Sequence, residues 1–287
     1  MAYTFTLENS PASADIAAVR TGLQSYNLAC VPELLDFSAL ELAVIARDDA
    51  GSIIGGVHGE VDWGWFFPDI VWVSDSQRGQ GLGAQLMAAV EQALLAVGIN
   101  RAYLWTTSFQ ARPFYLKLGY IQWAEMENRP QGHACYYLKK EHIEPVPLRH
   151  NFEIQLPPPP ADAQFLDDAL VADVARHRPL DYSPLAVFLR DDEHILGGIV
   201  GATYWDWFDL RFMWVSDHLR GQGYGSRLLA LAEEACLQRG IRHVVTDTAD
   251  FQALPFYQHH GFEIFGTLAD RPPGHTSYYL RKSLSGV

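Results

Sequence analysis

Two copies of an arginine- and glycine-rich motif carry the residue types best suited to binding chemistry. The first copy consists of Arg78, Gly79, Gln80, Gly81, Leu82, Gly83 and Ala84, and the second of Arg220, Gly221, Gln222, Gly223, Tyr224, Gly225 and Ser226. Glycine lets a backbone approach a charged group closely. Successive backbone N–H groups in such a loop bind anions without help from side chains. Both copies therefore predict a phosphate site.

The surrounding sequence places each glycine motif between a predicted strand and a predicted helix. The apolar pairs Trp72-Val73 and Trp214-Val215 lie in the strands, and the amphipathic segments 82–97 and 224–239 form the helices. This order directs several N–H groups and the positive end of a helix dipole at one point outside the fold. The elements that must position the motif are therefore a strand before it and a helix after it.

The chain consists of two copies of one sequence. Arg220 lies 142 positions after Arg78, and nearly half of the residues from 72 to 140 are identical to their partners at this offset. A period of this length predicts a duplicated domain rather than a solenoid of short repeats. We therefore predict two domains, residues 1–144 and 145–287, that pack as a pseudo-dimer within one chain.

Hydrophobic periodicity predicts the same series of elements in each copy. A strand and a helix are followed by a strand hairpin, a fourth strand, a long helix, a strand, a short helix and two last strands. The long helix of the first copy is predicted at 83–97, and Gly98 is a signal for its C-terminal end. This order predicts a mixed α/β (α+β) fold in which helices flank a mixed, mostly antiparallel sheet.

A second motif follows each glycine motif at a fixed distance. It is Phe-Tyr-x-x-x-Gly followed by an aromatic residue, at 114–120 and 256–262. With both motifs present twice, the chain resembles the GNAT superfamily of acetyl-CoA-dependent N-acyltransferases over nearly all of both halves. The resemblance implies tandem domains of that fold and acetyl-CoA as the donor. It also implies that the loop amides bind the coenzyme A diphosphate, and that the preceding strand, with Trp72, Val73 and Val215, bonds the pantetheine arm.

The resemblance gives Tyr115 and Tyr257 the role of protonating the departing thiolate. A phenol suits this task if it lies within hydrogen-bond reach of the sulfur, although core packing is the commoner role of a tyrosine. The family often has an asparagine seven residues before this tyrosine, where this chain has Ser108 and Asp250. Both can bond the pantetheine amides, but an ionised aspartate offers only acceptors. The two copies are therefore expected to differ in cofactor affinity.

The sequence does not identify the general base that an attacking amine requires. His133 and His275 occupy matching positions before the last strand, in a loop that lies near the substrate cleft in the family. They are candidates for a catalytic or substrate-binding role, or they bond the backbone of their own loops. Asp69 is aligned with Arg211, so its carboxylate is not repeated. The remaining histidines lack ligand spacing, and no metal is predicted.

Aromatic residues cluster before each glycine motif, and two interpretations of them stay open. They either form a pocket for an apolar or aromatic amine, or they pack the two copies together. The residues are Trp63, Trp65, Phe66 and Phe67 in the first copy, and Trp205, Trp207 and Phe208 in the second.

Two other functions compete with acetyl transfer. The segment Gly79-x-Gly81-x-x-Ala84 satisfies a loosened dinucleotide-binding fingerprint. That fingerprint follows the first strand of a βαβ unit directly, whereas several strands precede it here, so we reject this function. The other alternative is that one or both copies bind acyl-CoA without catalysis or serve as an interaction module. Because no cysteine lies beside a base in the motif regions, transfer should proceed by direct attack without an acyl-enzyme.

Composition narrows the choice of partners. The net charge of −13 argues against non-specific nucleic-acid binding and is compatible with a cationic amine. The N-terminus lacks a signal-peptide pattern, and no apolar run approaches the length of a membrane span. Three cysteines without CxxC spacing favour a reduced cytoplasm. We expect a small-molecule amine substrate, no nucleic-acid or membrane partner, and a monomer with an internal pseudo-dimer or a homodimer.

Overall fold

A computed structural model of the chain describes residues 3–36, 39–192 and 194–285, so the outermost positions of both predicted domains lie outside the described residues. The helices are α1 Ser13–Cys30, α2 Leu82–Ala96, α3 Arg112–Lys117, α4 Pro160–Ala175, α5 Tyr224–Gln238 and α6 Leu254–His259. The strands are β1 Thr4–Glu8, β2 Leu40–Arg47, β3 Ile53–Asp62, β4 Trp65–Val73, β5 Ala102–Thr107, β6 Ile121–Glu127, β7 Ala134–Lys140, β8 Glu153–Gln155, β9 Ser183–Arg190, β10 Ile195–Tyr204, β11 Trp207–Val215, β12 His243–Ala249, β13 Glu263–Ala269 and β14 Thr276–Ser283.

The strands form two seven-stranded sheets. Their orders are β6-β7-β5-β4-β3-β2-β8 and β1-β9-β10-β11-β12-β14-β13. The neighbours β4 and β5 are parallel, as are β11 and β12, and the other described pairings are antiparallel. The predicted fold class, two mixed and mostly antiparallel sheets with flanking helices, is confirmed.

The two sheets exchange their first strands. Strand β1 pairs with β9, and strand β8 pairs with β2. The helix after each exchanged strand is exchanged as well. Helix α1 packs on β10 and β11, and helix α4 packs on β3 and β4. We call β2–β8 with α2, α3 and α4 the first lobe, and the remaining strands and helices the second lobe. The predicted domains 1–144 and 145–287 are the two sequence copies, whereas each lobe contains elements of both copies.

Each exchanged helix is fitted to the lobe that receives it. Val19 of α1 and Leu166 of α4 are completely buried, each in an apolar cluster of the other copy. Helix α1 also passes so close to Trp214 that a Cβ atom on Gly22 would lie 2.3 Å from the indole ring. Helix α4 instead places the Phe165 ring against Trp72, with ring centroids 5.7 Å apart. The two helices are therefore not interchangeable.

Aromatic side chains fill the interface between the lobes. Trp65 Nε1 donates a hydrogen bond of 2.9 Å to the backbone oxygen of Asp270, and Trp207 Nε1 donates one of 3.0 Å to that of Asn128. Both indoles belong to one buried cluster formed by the two lobes. Of the two open interpretations of the aromatic segments, packing of the copies accounts for these tryptophans. Phe66 and Phe208 lie in the core of their own lobes, and Phe67 lines a cleft described below.

Two buried arginines also cross the interface. Arg129 is 3% exposed, and its guanidinium donates hydrogen bonds to the hydroxyls of Tyr137 at 2.9 Å and Tyr204 at 2.7 Å. The equivalent Arg271 donates to Asp62 Oδ2 of the first lobe at 3.1 Å. Such partners reduce the cost of burying a guanidinium, although Arg271 Nε itself is buried without a hydrogen-bond partner among the described residues.

Replacing Arg129 with methionine should lower the free energy of unfolding by about 3–5 kcal/mol, because it leaves polar partners buried and unpaired. The matched control is Arg176→Met, since the Arg176 side chain is 57% exposed and pairs only with surface carboxylates. That change should cost under about 1 kcal/mol. Denaturant titrations of both variants measure the difference, and equal losses would contradict a structural role for the buried arginine.

Candidate active site

The glycine motifs form tight loops whose backbone needs glycine. Gly79 and Gly81 have φ values of +75° and +86°, and their counterparts Gly221 and Gly223 have +73° and +86°. These left-handed conformations are unfavourable for residues with a side chain. A Cβ atom at any of the four positions would meet nothing within 4 Å. The space over each loop is therefore open to a ligand.

The arginine and glutamine of each motif hold the loop in shape. Arg78 Nε donates to the backbone oxygen of Val73 at 3.0 Å, and Gln80 Nε2 donates to that of Ser76 at 2.8 Å. Arg220 and Gln222 repeat these contacts in the second lobe. Helix α2 begins directly after the loop, at Leu82. The first N–H groups of a helix have no intrahelical acceptor, so each loop presents an anion site formed by the main chain.

Each loop opens into a cleft. The first cleft has a volume of about 720 Å³ and the second about 500 Å³. The predicted cofactor residues that line the first cleft are Trp72, Val73, Arg78, Gly79, Gly81, Leu82, Gly83 and Ala84. Those that line the second are Val215, Arg220, Gly221, Gly223, Gly225 and Ser226. Gln80, Gln222 and Tyr224 are not among the lining residues. The two glutamines hydrogen-bond backbone oxygens of their own loops, and Tyr224 packs on Tyr3 and Phe5.

Tyr115 and Tyr257 line the first and second cleft respectively. Both side chains are mostly buried, at 8% and 5% exposure. Burial raises the pKa of both phenols well above the ordinary value, so both keep their protons at neutral pH. Tyr257 Oη donates to Met213 Sδ at 3.8 Å. Each ring also packs on an aromatic neighbour. Both tyrosines therefore line a cleft and contribute to the packing of the core.

The structure brings each predicted histidine together with the residue at the predicted asparagine position. Ser108 Oγ lies 3.0 Å from His133 Nδ1, and Asp250 Oδ1 lies 2.8 Å from His275 Nδ1. The same two side chains also accept backbone N–H bonds at the start of β7 and of β14. These four residues are not among those that line the clefts. They hold the loops that precede β7 and β14, and their predicted roles in catalysis and cofactor binding stay predictions.

Asp69 is a functional candidate that the sequence did not single out. It lies on β4, and the residues of this strand from Phe67 to Val73, with the exception of Ile70, line the first cleft. Asp69 is exposed, but the surrounding protein partly desolvates its carboxyl and raises its pKa, while His58 and Arg211 oppose the rise. Its position on the strand that ends at the glycine loop was the available signal.

The exchange of α4 completes the first cleft with residues of the second copy. Leu170, Val174 and His177 form one wall of it. Asp173 forms an ion pair with Arg78 of the glycine motif, and Arg176 contacts Asp75 at 2.8 Å. In the second cleft the matching wall comes from α1, where the Tyr26 ring lies 4.4 Å from the Arg220 guanidinium.

Within the described part of the chain, each helix is too short or too polar to cross a membrane. The same residues contain no group of three or more His, Cys, Asp or Glu side chains placed to hold a metal ion.

Sequence and structure comparisons identify the family. Residues 40–122 match a profile described as acetyltransferase (GNAT) domain, and residues 148–262 match one described as acetyltransferase (GNAT) family. Blasticidin-S acetyltransferase of Streptomyces morookaense is 39% identical over 113 residues, which are 39% of this chain and 82% of that protein. Acetyltransferase Atu2258 of Agrobacterium fabrum is 36% identical over 127 residues, which are 42% of this chain and 93% of that protein.

The solved structures add a similar relative. An acetyltransferase from Bacillus cereus is 27% identical, with a TM-score of 0.41, and the match covers 44% of this chain and 94% of that one. The two curated relatives match most of their own length, and the two profiles fall on different halves of the chain. The chain therefore belongs to the GNAT family of acetyltransferases and contains two domains of that family in tandem.

Proposed function

We propose that the chain transfers an acetyl group from acetyl-CoA to a primary amine of a small molecule, and that the transfer takes place in the first cleft. One observation carries this proposal. The glycine loop, the buried phenol of Tyr115 and the carboxyl of Asp69 all line the same cleft. These groups supply an anion site, a proton donor and a proton acceptor, which together are what direct aminolysis of a thioester requires.

The loop residues fit coenzyme A. The N–H groups from Arg78 to Ala84 would hold its diphosphate, since the glycine conformations leave their outer side open. Backbone groups of Trp72 and Val73, at the end of β4, would bond the pantetheine arm. When bound, acetyl-CoA supplies an activated acetyl group on a thiol leaving group.

Tyr115 and Asp69 would carry the proton transfers. Asp69 takes a proton from the ammonium form of the acceptor, and its raised pKa makes it a stronger base than an ordinary aspartate. As the C–N bond forms and the C–S bond breaks, the Tyr115 hydroxyl gives its proton to the departing sulfur, and the nitrogen gives its surplus proton to the Tyr115 phenolate, which leaves a neutral amide and a free thiol. The raised pKa of Tyr115 keeps the phenol protonated between turnovers, and the acidic proton on the newly acetylated nitrogen restores it after each transfer.

The acceptor end of the first cleft suits an amine with an apolar or aromatic body. Phe67, Trp105 and Phe109 line it together with Leu170 of α4. Flat rings stack favourably on such walls, and the carboxylate of Asp69 attracts the cationic group. The name of the blasticidin-S acetyltransferase relative supports a small-molecule acceptor, as does the net charge of −13.

The direct test measures release of free thiol from acetyl-CoA with a panel of small amines, alongside calorimetric binding of coenzyme A to the full chain. The proposal expects binding and amine-dependent thiol release. If coenzyme A does not bind, or if binding is not followed by thiol release with any amine of the panel, the proposed function is wrong.

Asp69 also predicts a pH dependence. Because its pKa is raised, the carboxylate is present above that pKa and lost below it, so kcat/KM should fall as the pH decreases through the raised value. In Asp69→Asn this acidic limb should disappear and the plateau should be lower by about 10²-fold or more.

Two variants that remove a charge near Asp69 test the direction in which the acidic limb of kcat/KM moves. Arg211 lowers the pKa of Asp69 and Asp167 raises it. Arg211→Met should therefore move the acidic limb of kcat/KM to higher pH, and Asp167→Asn should move it to lower pH. A limb that stays in place in both variants would assign it to another group.

A further inference from the structure

We propose that acetyl transfer is confined to the first cleft, and that the second cleft binds coenzyme A without an acceptor. This inference rests on the proposed function and adds a division of labour between two similar sites. It is carried by differences between the clefts at equivalent positions, all of them at the acceptor end.

The first difference is the proton acceptor. The position of Asp69 on β4 is occupied by Arg211 on β11, and a guanidinium stays protonated and cannot act as a base. Nearby carboxylates of the second lobe have other partners. Asp209 accepts hydrogen bonds from Tyr204 at 2.9 Å and from Arg129 at 3.3 Å, and Asp247 lies 3.6 Å from Arg271. These charges therefore stabilise the interface arginines.

The second difference is that α1 closes the acceptor end of its cleft. Gln252 Nε2 donates a hydrogen bond of 2.7 Å to Asn27 Oδ1, which belongs to a buried residue of α1. One residue earlier on this helix, Tyr26 Oη donates to the backbone oxygen of Phe251 at 3.3 Å. Phe251 is the counterpart of Phe109, which lines the first cleft. These bonds tie α1 to the loop after β12, where an acceptor would have to enter.

Gln110 and its counterpart Gln252 both line their clefts. Among the described residues, however, Gln252 is hydrogen-bonded to the exchanged helix, whereas Gln110 accepts hydrogen bonds from Thr107, and α4 contributes the apolar residues Leu170 and Val174 to the lining of the first cleft. The larger volume, about 720 Å³ against about 500 Å³, is consistent with this additional space. An acceptor subsite is therefore present in one cleft only.

The coenzyme end of the second cleft is intact. Gly221 and Gly223 have the same backbone conformation as their counterparts, and Arg220 and Gln222 make the same bonds. Tyr257 is present, but its hydroxyl contacts the Met213 thioether, where the first lobe has Val71. Coenzyme A bound here would stabilise the folded second lobe by mass action without being consumed.

A matched pair of substitutions tests the division. Gly81→Asp and Gly223→Asp introduce the same charge at two glycines that share a φ of +86° and have no atom within 4 Å of a Cβ. Each should remove one of two equivalents of coenzyme A seen by calorimetry, because a carboxylate repels the diphosphate. At subsaturating acetyl-CoA, turnover should fall about 100-fold or more further in Gly81→Asp than in Gly223→Asp.

The tyrosines provide a second pair that changes only one hydroxyl in each cleft. Turnover should fall about 100-fold or more further in Tyr115→Phe than in Tyr257→Phe. Similar losses within either pair, or binding of a single equivalent by the unaltered chain, would overturn the division. Binding of two equivalents without amine-dependent thiol release would instead contradict the proposed function.

Discussion

Replacing Tyr115 with phenylalanine should lower kcat by about 10²–10⁴-fold, while the affinity for coenzyme A changes little. Tyr115 lines the first cleft and its hydroxyl is the proposed proton donor, so without it the thiolate must leave as an anion or take its proton from water. The ring remains and keeps its packing against Tyr120, 5.8 Å away between centroids. The measurement is single-turnover thiol release at saturating acetyl-CoA, combined with calorimetry.

Tyr120→Phe is the matched control for this prediction. Tyr120 belongs to the same core cluster as Tyr115 and is only 2% exposed, but it is not among the residues that line the cleft. Its substitution removes a buried hydroxyl at the same place in the fold, so it reports the effect on stability alone. If both variants lose activity equally, the loss comes from the packing of the cluster, and Tyr115 is not the acid.

Separating the chain between residues 144 and 145 should abolish independent folding of both halves. Fragment 1–144 lacks β8 and α4 of the first lobe and carries β1 and α1 without their sheet. Truncating one buried leucine costs about 2–5 kcal/mol, and a whole domain is stable by only about 5–15 kcal/mol. Loss of an entire strand and helix, with Leu166 at its centre, exceeds that margin. The two fragments expressed together should form a 1:1 complex with a cooperative unfolding transition.

A flexible insertion at the same site is the control for the separation. A few glycine and serine residues between Glu144 and Pro145, which are both exposed, lengthen the connection without removing an element. That chain should unfold at nearly the same denaturant concentration as the original. A stable monomer of fragment 1–144 would show that β1 and α1 can return to the first lobe. The close fit of Gly22 against Trp214 argues against that outcome, because the first lobe places Phe165 against the corresponding Trp72.

The repeated motifs were sufficient to predict the architecture of each sheet, but not the exchange between the sheets. The succession of strands and helices along each copy follows from hydrophobic periods and turn residues. The partner of β1 depends on three-dimensional fit. Val19 and Leu166 are similar apolar side chains at similar positions, so hydrophobicity alone does not distinguish the two lobes for α1. What distinguishes them is the contact between Gly22 and Trp214, which no local pattern reveals.

The candidate site divides in the same way. The glycine loops and both tyrosines are local motifs, and the structure places them at the clefts as their spacing suggested. Ser108 and Asp250 were expected at the pantetheine arm, which stays a prediction, and the structure pairs them with His133 and His275. Asp69 was set aside because the second copy has Arg211 at that position. Comparison of duplicated sequences favours residues that are repeated, and therefore overlooks a group that serves only one copy.

The exchange of α4 has a practical consequence for altering the acceptor range of this protein. Residues 170–177 form a wall of the first cleft although they lie in the C-terminal half of the sequence. A mutagenesis library restricted to residues 1–144 would leave that wall untouched. Random recombination of the two halves with those of other proteins would replace one wall of the pocket while keeping the other. Selection for new acceptors should therefore vary positions from both halves of the gene together.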